Sequence, residues 1–313
     1  MVMEQQSCNK VSKGHQKFFD KSAYLPLSLV MQTGPIGVFD SGYGGLTVLK
    51  ALTASLPAYD YLYLGDNARV PYGTRSYETV YQYTWECVQA LFSMGCPLVI
   101  LACNTASAKA LRSIQQEKLP QFAPNRRVLG VIRPTTEEVG KLSITRHVGI
   151  LGTPGTISSD SYPIEIEKFF PDLKVSQEAC PMWVPLVENN EHLSEGATYF
   201  VKQHVAALQH RDPSIDTVVL GCTHYPLLLP VLEKLAPQQW RFLAQGELVA
   251  SKLADYLQRH PNMEGRLTQN GQRRFLTTDN AAAFSEKAAL FYGEAVNAEK
   301  IELDQYPFTP DAH

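Results

Sequence analysis

Short apolar runs alternate along this chain with segments long enough to form a helix. The runs have the length and the β-branched content of strands that are buried on both faces, as in parallel sheets. Strands joined by helices make βαβ units, so the sequence predicts an α/β fold of the doubly wound, Rossmann or flavodoxin-like kind. The predicted strands lie near residues 36–39, 61–64, 98–102, 128–131, 148–151, 173–175, 217–220, 240–244 and 274–278. Helices are predicted at 46–54, 76–94, 106–117, 194–209, 227–235, 247–258 and 280–292.

The pattern repeats in outline within the chain. The run that ends at Asp40 resembles the run before Thr153, and the run before Cys103 resembles the run before Cys222. At 313 residues the chain is long enough for two ordinary domains. We therefore expect two similar lobes with the active site in the cleft between them. The predicted segments are an N-terminal extension at 1–33, a first lobe at 34–128 plus 244–313, and a second lobe at 129–243.

Composition excludes several classes of protein. With 44% hydrophobic and 19% charged residues, the chain has the balance of a globular protein and not that of a disordered chain or a coiled coil. The formal net charge is −3, and lysines and arginines form no stripe, so no nucleic-acid partner is expected. No apolar run reaches the roughly 18 to 20 residues that span a bilayer, so no membrane association is expected either.

The first residues differ from the rest of the chain. They are polar up to Lys21 and then briefly apolar, but the apolar part contains Pro26 and no small-residue cleavage site follows it. This favours an extension ahead of the folded core over a signal peptide. The six cysteines are irregularly spaced in a long chain, so we expect free thiols in a reducing cytoplasm and not disulfides.

Two cysteines stand at the ends of apolar runs, and each is followed at once by short polar residues. Cys103 precedes Asn104 and Thr105, and Cys222 precedes Thr223 and His224. Both thiols are expected at the carboxyl ends of strands, which is the edge where open α/β sheets bind ligands. A following helix N-terminus would favour the thiolate and bring the thiol pKa nearer neutrality, where it serves as a general acid or base. A lone buried cysteine would simply be a small apolar side chain.

Two further segments carry candidate site residues. The first, at 39–46, ends a strand with an acid, a hydroxyl and three glycines, which suits a small carboxylate ligand better than a dinucleotide or a P-loop phosphate. Asp40 in this segment would otherwise be a helix cap. The second, at 66–73, is a loop in which Tyr72 and Gly73 offer polar contacts.

His224 and Glu188 complete the candidate groups. His224 lies two residues beyond Cys222, and it could hold the proton of that thiol or bind an acidic substrate. Glu188 follows an apolar segment and would otherwise be a solvated carboxylate. No CxxC pair occurs, and Cys222 and His224 are too close for the usual ligand spacing on one helix face, so no metal site is predicted.

Taken together, these segments resemble the glutamate racemase family of bacterial cell-wall synthesis. The resemblance runs from about residue 34 to residue 303, and its motifs occur in the order that the family has. The matching segments are 39–42, 71–73, 103–107, 152–156, 184–188 and 221–224.

The resemblance implies interconversion of L- and D-glutamate without a cofactor, supplying D-glutamate for peptidoglycan in the cytoplasm. Cys103 would act on the D-isomer and Cys222 on the L-isomer, from opposite faces of the α-carbon. Asp40 would assist Cys103, and His224 would assist Cys222. The residues implied to contact substrate are Asp40, Ser41, Tyr72, Gly73, Asn104, Thr105, Thr153, Glu188, Thr223 and His224.

The resemblance also implies a homodimer, and it favours glutamate over aspartate, because aspartate racemase relatives usually carry Glu where this chain has His224. The chain departs from the usual family pattern at Arg133 and at 244–246, where Ala-Gln-Gly replaces an Asp-Ser-Gly or similar. Two alternatives stay open on the residues. One is a one-cysteine enzyme of the same superfamily, such as a decarboxylase or hydrolase, and the other is a non-catalytic amino-acid binding module.

Overall fold

The computed structural model describes residues 33–310. The predicted N-terminal extension, apart from Thr33, lies outside the described residues, and so does Cys8. All the described residues fall within one compact unit.

The described strands are short and follow the predicted positions closely. They are β1 (Ile36–Asp40), β2 (Tyr61–Gly65), β3 (Leu98–Leu101), β4 (Arg127–Gly130), β5 (His147–Gly152), β6 (Lys174–Ala179), β7 (Thr217–Gly221), β8 (Arg241–Leu243), β9 (Arg273–Thr277) and β10 (Ala298–Lys300). No strand was predicted at β10, because this three-residue strand is partly exposed and lacks an apolar run.

The described α-helices lie between the strands or beside them. They are α1 (Leu46–Ser55), α2 (Tyr77–Ser93), α3 (Asn104–Lys109), α4 (Leu111–Ser113), α5 (Leu119–Phe122), α6 (Ile132–Leu142), α7 (Pro154–Ile157), α8 (Ser161–Phe169), α9 (Trp183–Glu188), α10 (Glu195–Arg211), α11 (Leu229–Leu235), α12 (Gly246–Arg259), α13 (Pro261–Glu264) and α14 (Ala281–Tyr292). Single 3₁₀ turns occur at Asn67–Arg69, Tyr225–Leu228 and Leu303–Gln305.

The helix predicted at 106–117 is broken in the structure. Helices α3 and α4 are followed by a π-helical turn, Ile114–Lys118, before α5 begins. Pro120 lies in the first turn of α5, where its missing N–H needs no partner, so a new helix starts there.

Within residues 33–310 the strands form two parallel sheets, which confirms the predicted α/β class. One sheet has the order β10-β9-β2-β1-β3-β4 and the other β6-β5-β7-β8. Every pairing in both sheets is parallel. The predicted boundary between residues 128 and 129 falls inside β4, and the division into lobes at the stated residues stays a prediction.

Both sheets are covered on both faces, as a doubly wound fold requires. In β1, Phe39 packs in a cluster with Val88 and Leu91 of α2, whereas Val38 packs on the other face with Leu49 of α1. Burial of each such side chain contributes about 1.5 to 3 kcal/mol. No helix within the described residues is long and apolar enough to cross a membrane.

Each sheet contains one point where the direction of strand addition reverses. β1 pairs with both β2 and β3, and β5 pairs with both β6 and β7. In open α/β sheets such points leave a crevice at the carboxyl ends of the strands, and ligands bind there. The loops that follow β1, β3, β5 and β7 are therefore the places to look for a site.

One buried carboxylate joins the segments that lead into β5 and β7 of the second sheet. Asp216, just before β7, accepts hydrogen bonds from the backbone N–H groups of Ile144 and Thr145 at 2.7 Å each and from Ser143 Oγ at 2.7 Å. Burial opposes ionisation of Asp216, but these hydrogen bonds outweigh it and lower the pKa of the carboxyl.

We expect Asp216→Asn to lower the free energy of unfolding by about 1 to 3 kcal/mol, because two backbone donors then face an amide group that accepts less well. Since the folded-state pKa is depressed, the contribution of Asp216 is present above the unfolded pKa of about 3.9 and is lost as pH falls through the lower folded value. Urea unfolding at pH 7 and pH 3 measures both effects. The control is Asp172→Asn, which breaks an exposed ion pair with Arg146 and should change stability little. Equal losses for the two variants would contradict the assignment.

Candidate active site

The carboxyl end of β1 brings a buried acid into the crevice. Asp40 is 1% exposed, and its Oδ1 accepts the backbone N–H of Gly42 at 2.9 Å. It does not cap α1, whose N-cap residue is Gly45 and which has no side-chain cap. Burial raises the pKa of Asp40, and the charge of His224 partly offsets that rise. Asp40 is thus a carboxyl group able to hold a proton more readily than a solvated one.

Cys103 follows β3 and is the N-cap residue of α3. Its Sγ accepts the backbone N–H of Ala106 at 3.4 Å, and the thiol donates to Ser41 Oγ at 3.5 Å. Burial, reinforced by the nearby negative charge of Asp40, raises the pKa of Cys103 to about 12. The expectation that the helix N-terminus brings this pKa nearer neutrality is therefore wrong, because desolvation outweighs a helix of only six residues.

Cys222 follows β7 at the equivalent position of the second sheet. No α-helix begins directly after it; a 3₁₀ turn, Tyr225–Leu228, comes first, and α11 begins at Leu229. The predicted helix N-terminus beside Cys222 is therefore wrong in detail. Prolines account for the difference, since Pro226 and Pro230 each stand in the first turn of a new element.

A charged pair lies beside Cys222. His224 Nδ1 is 3.8 Å from Cys222 Sγ, and its Nε2 is 3.0 Å from Glu188 Oε1 at the end of α9. Burial disfavours the imidazolium, but the hydrogen bonds to Cys222 and Glu188 outweigh it and raise the pKa of His224 to about 10. At neutral pH His224 is therefore a cation, and an N–H faces each partner.

The loops after β1 and β7 touch each other. Thr223 Oγ1 donates to Asp40 Oδ2 at 3.5 Å, and Thr47 Oγ1 donates to the carbonyl of Thr223 at 3.0 Å. Gly44 is required at this contact, because a Cβ there would lie 2.2 Å from Thr223 Oγ1 and 2.4 Å from His224 Nδ1. The glycine-rich segment thus packs against the Cys222 loop, a role that its composition alone did not reveal.

The loops after β3 and β5 form the second contact between the sheets. Thr105 Oγ1 lies 2.9 Å from Thr153 Oγ1, and Gly155 donates its backbone N–H to the carbonyl of Gly73 at 2.7 Å. Gly73 and Thr153 are also in close approach, since a Cβ on Gly73 would lie 3.0 Å from Thr153 Cβ. Four strand ends and the 71–73 loop therefore surround one crevice.

Two predicted site residues direct their side-chain hydrogen bonds elsewhere. The phenol of Tyr72 donates to the buried carboxylate of Asp66, and the amide of Asn104 bonds to Gln245 and Tyr162. Sequence reasoning missed Asp66, Tyr162 and Gln245 as supporting residues. Gln245 carried a signal in the sequence, because it is a polar residue shortly after β8, whereas Tyr162 carried none.

The assembled groups make two buried thiols with different neighbours. Cys103 has Ser41 and Asp40 beside it, whereas Cys222 has the His224–Glu188 pair. Each thiol can donate or accept a proton while shielded from water. The five cysteines within 33–310 are all free and buried. No group of three or more metal-ligating side chains is found among the described residues.

Comparison with known proteins agrees with this site. Residues 36–246 match the family model described as Asp/Glu/Hydantoin racemase. The chain belongs to this family. Two related racemases bear the name glutamate racemase: that of Roseobacter denitrificans is 40% identical over 270 residues, 82% of this chain and 96% of the relative. That of Streptococcus suis is 38% identical over 274 residues, 87% of this chain and 100% of the relative.

Solved racemase structures have the same fold. The glutamate racemase isoform RacE1 from Bacillus anthracis superposes with a TM-score of 0.79 at 35% identity, over 87% of this chain and 98% of that one. The glutamate racemase from Francisella tularensis, solved in complex with D-glutamate, superposes with a TM-score of 0.78 at 31% identity, over 88% of this chain and 100% of that one. The resemblance inferred from the motifs is confirmed.

We expect Glu188→Gln to lower the pKa of His224 from about 10 toward the ordinary value of about 6.5, because a neutral amide replaces the carboxylate on Nε2. In the parent racemase the raised pKa contributes stability that is fully present below about pH 6.5 and is lost as pH rises through about 10. NMR titration of the His224 ring, assigned with His224→Asn, measures the shift. The matched control is Glu178→Gln, which removes the carboxylate beside His204 and should leave His224 unchanged.

We expect Gly44→Ala to lower the free energy of unfolding by about 1 to 3 kcal/mol and to reduce activity, because the new methyl group forces Thr223 and His224 apart from the β1 loop. The control is Gly196→Ala in the exposed first turn of α10, where the methyl group has room and helix propensity favours alanine. Thermal unfolding of both variants compares them. A Gly44→Ala protein as stable and active as the parent would contradict the close approach.

Proposed function

We propose that this racemase interconverts L-glutamate and D-glutamate by moving the α-proton between Cys103 and Cys222, without a cofactor. The observation that carries the proposal is the pair of buried thiols at the ends of β3 and β7, each with a different ionisable partner. The names of the relatives and the D-glutamate complex of the Francisella protein support glutamate as the substrate.

The reaction needs a base and an acid on opposite faces of one carbon. In the L-to-D direction the thiolate of Cys222 forms an S–H bond as the Cα–H bond breaks, and the electron pair moves onto Cα and the α-carboxylate. The thiol of Cys103 then gives its proton to the other face and becomes a thiolate. The D-to-L direction reverses each step. A desolvated thiolate is a stronger base than a solvated one, which suits the weakly acidic α-proton.

The two thiols have neighbours of opposite charge. The raised pKa of Cys103 keeps its proton in place as the acid, and cationic His224 lies beside Cys222. This combination begins with L-glutamate. The α-ammonium group of the substrate brings a positive charge that opposes the effect of Asp40 on Cys103. Asp40, with its own raised pKa, can take up or return a proton in the opposite direction.

The remaining predicted contacts are mostly uncharged donors. We propose that Ser41, Thr105, Thr153 and Thr223 offer hydroxyl or backbone groups to the substrate carboxylates, together with backbone at Gly73. Tyr72 and Asn104 are proposed as contacts too, and Glu188 acts through His224. Oriented donors around a carboxylate stabilise the charge that develops on it when the α-proton leaves.

We further propose that the product D-glutamate supplies peptidoglycan synthesis in the cytoplasm and that the protein works as a homodimer of two-lobed subunits. The proposed lobes are those predicted from the sequence, except that β4 as a whole goes with the first. No metal, cofactor or nucleic acid is assigned a part. Light scattering of the purified protein measures the oligomeric state.

Incubation with L-glutamate in D₂O tests the activity. We expect D-glutamate to form with deuterium at Cα in the absence of any added cofactor, and chiral chromatography with mass spectrometry detects both. If neither α-deuteration nor D-glutamate arises, the proposed function fails.

Single cysteine variants test the two-thiol mechanism. We expect Cys103→Ser and Cys222→Ser to lose racemisation by at least about 10³-fold, because a serine hydroxyl is a far weaker acid than a thiol and is scarcely ionised to the basic form. Each variant should retain slow α-exchange only of the isomer served by its remaining thiol: L-glutamate for Cys103→Ser and D-glutamate for Cys222→Ser. Cys96→Ser, at a buried thiol outside the crevice, is the matched control and should racemise normally. Racemisation that survives Cys222→Ser would instead favour a one-cysteine enzyme.

A further inference from the structure

Gln245 links the two sheets at the point where the chain returns from one to the other. It lies between β8 and α12 and is 4% exposed. Its Nε2 lies 2.9 Å from Thr135 Oγ1 and 3.0 Å from the carbonyl oxygen of Val131, at the start of α6, and these two acceptors share one of its two N–H groups. The other connection between the sheets runs through α6. The Gln245 side chain is therefore hydrogen-bonded across from one connection to the other.

The same amide belongs to a closed ring of hydrogen bonds. Asn104 Nδ2 donates to Gln245 Oε1 at 2.7 Å, and Gln245 Nε2 donates to Tyr162 OH at 2.8 Å. The phenol of Tyr162 in turn donates to Asn104 Oδ1 at 2.8 Å. Burial raises the pKa of Tyr162, so its phenol keeps the proton that closes the ring.

The ring has a single direction. The lone pair of Tyr162 OH accepts from Gln245, so its one proton is left for Asn104 Oδ1. The amide of Asn104 is therefore fixed, with its oxygen toward Tyr162 and its nitrogen toward Gln245. A rotation of the Asn104 amide by 180° would set two donors against each other at Tyr162 and two acceptors against each other at Gln245.

We propose that Gln245 is a positioning residue, which fixes the Asn104 amide so that its second Nδ2 N–H, and not its oxygen, serves a carboxylate of the substrate. Asn104 directly follows Cys103, so the ring also holds the start of α3 at the acid–base pair. The inference rests on the proposed function, in which Asn104 contacts glutamate. A reversed amide would turn an oxygen lone pair toward an anion and weaken binding.

Two variants break the ring at different bonds. Gln245→Met keeps the length of the side chain and removes all its hydrogen bonds, and Tyr162→Phe removes only the phenol. Each should raise KM for both glutamate isomers by roughly 10-fold or more while kcat changes less, since a misoriented donor weakens ground-state binding first. Thr135→Val is the control, because it removes a bond from Gln245 and leaves the Asn104 ring complete. Its KM should stay within about 2-fold of the parent.

Gln245→Glu adds a readout that a purely structural role would not move. The protonated carboxyl of this variant can donate to Tyr162 and accept from Asn104, as the glutamine amide does. The ionised carboxylate instead accepts the hydrogen bond of the Tyr162 hydroxyl, which leaves Asn104 Oδ1 without its donor. The titratable groups facing this position are the substituted carboxyl itself and the Tyr162 phenol, with Cys222 in electrostatic range of that phenol. The ratio of KM for Gln245→Glu to KM for the parent should therefore fall toward one as pH is lowered.

The amide orientation is also measured without turnover. In the parent, the Asn104 Nδ2 proton bonded to Gln245 should exchange slowly with solvent, as seen by ¹⁵N–¹H NMR with Asn104→Ala for assignment. Exchange should become at least about 10-fold faster in Gln245→Met and in Tyr162→Phe. This readout holds even where the protein does not racemise glutamate.

The outcomes separate the two proposals. A parent protein without racemisation fails the proposed function, and the amide exchange alone then decides whether the ring orients Asn104. A racemising parent with unchanged KM in folded Gln245→Met and Tyr162→Phe overturns the inference, as does a KM ratio for Gln245→Glu that is flat with pH. If Gln245→Met does not fold, Tyr162→Phe and Gln245→Glu decide. If Thr135→Val raised KM as much as Tyr162→Phe does, the effect would come from disturbing the connection between the sheets in general. That result would also overturn the inference.

Discussion

Parallel pairing is the constraint on which the rest of this structure depends. Because every described strand runs parallel to its neighbours, the carboxyl ends within each sheet share one edge. The reversal of strand order at β1 and at β5 opens a crevice at that edge of each sheet. Two such edges facing each other bring Asp40, Cys103, Thr153 and Cys222 around one volume, although they are distant in sequence. The parallel pairing of the strands thus determines both the fold and the position of the site.

Neighbouring charges then make the two equally buried thiols chemically different. Both are 6% exposed, so each is largely removed from water. Near Cys103 the neighbouring charge is the acid Asp40, which adds to the effect of desolvation and raises the thiol pKa further. Near Cys222 it is the cation His224, anchored by Glu188. A symmetric scaffold therefore carries an asymmetric pair, one thiol kept protonated and the other beside a positive charge.

The sequence predicted those features that local patterns encode. Apolar runs located nine of the ten described strands, and the small polar residues after two of them located both cysteines. It did not predict the contact of Gly44 with His224, because nothing in a glycine-rich loop indicates what lies across the crevice. The direction of the Cys103 pKa shift was wrong for a related reason: helix position is readable from sequence, whereas desolvation depends on the packing of the whole site. Tyr162 and Gln245 meet only through long-range contacts.

The Asn104 ring shows how such long-range contacts constrain chemistry. Asn104 sits one residue from Cys103, yet its amide is oriented by Tyr162 from α8 and by Gln245 from the return crossing. Glutamine both accepts and donates, and it also reaches Val131 and Thr135. Gln245 thus takes part in the hydrogen bonding beside Cys103, although it is not itself predicted to touch the substrate.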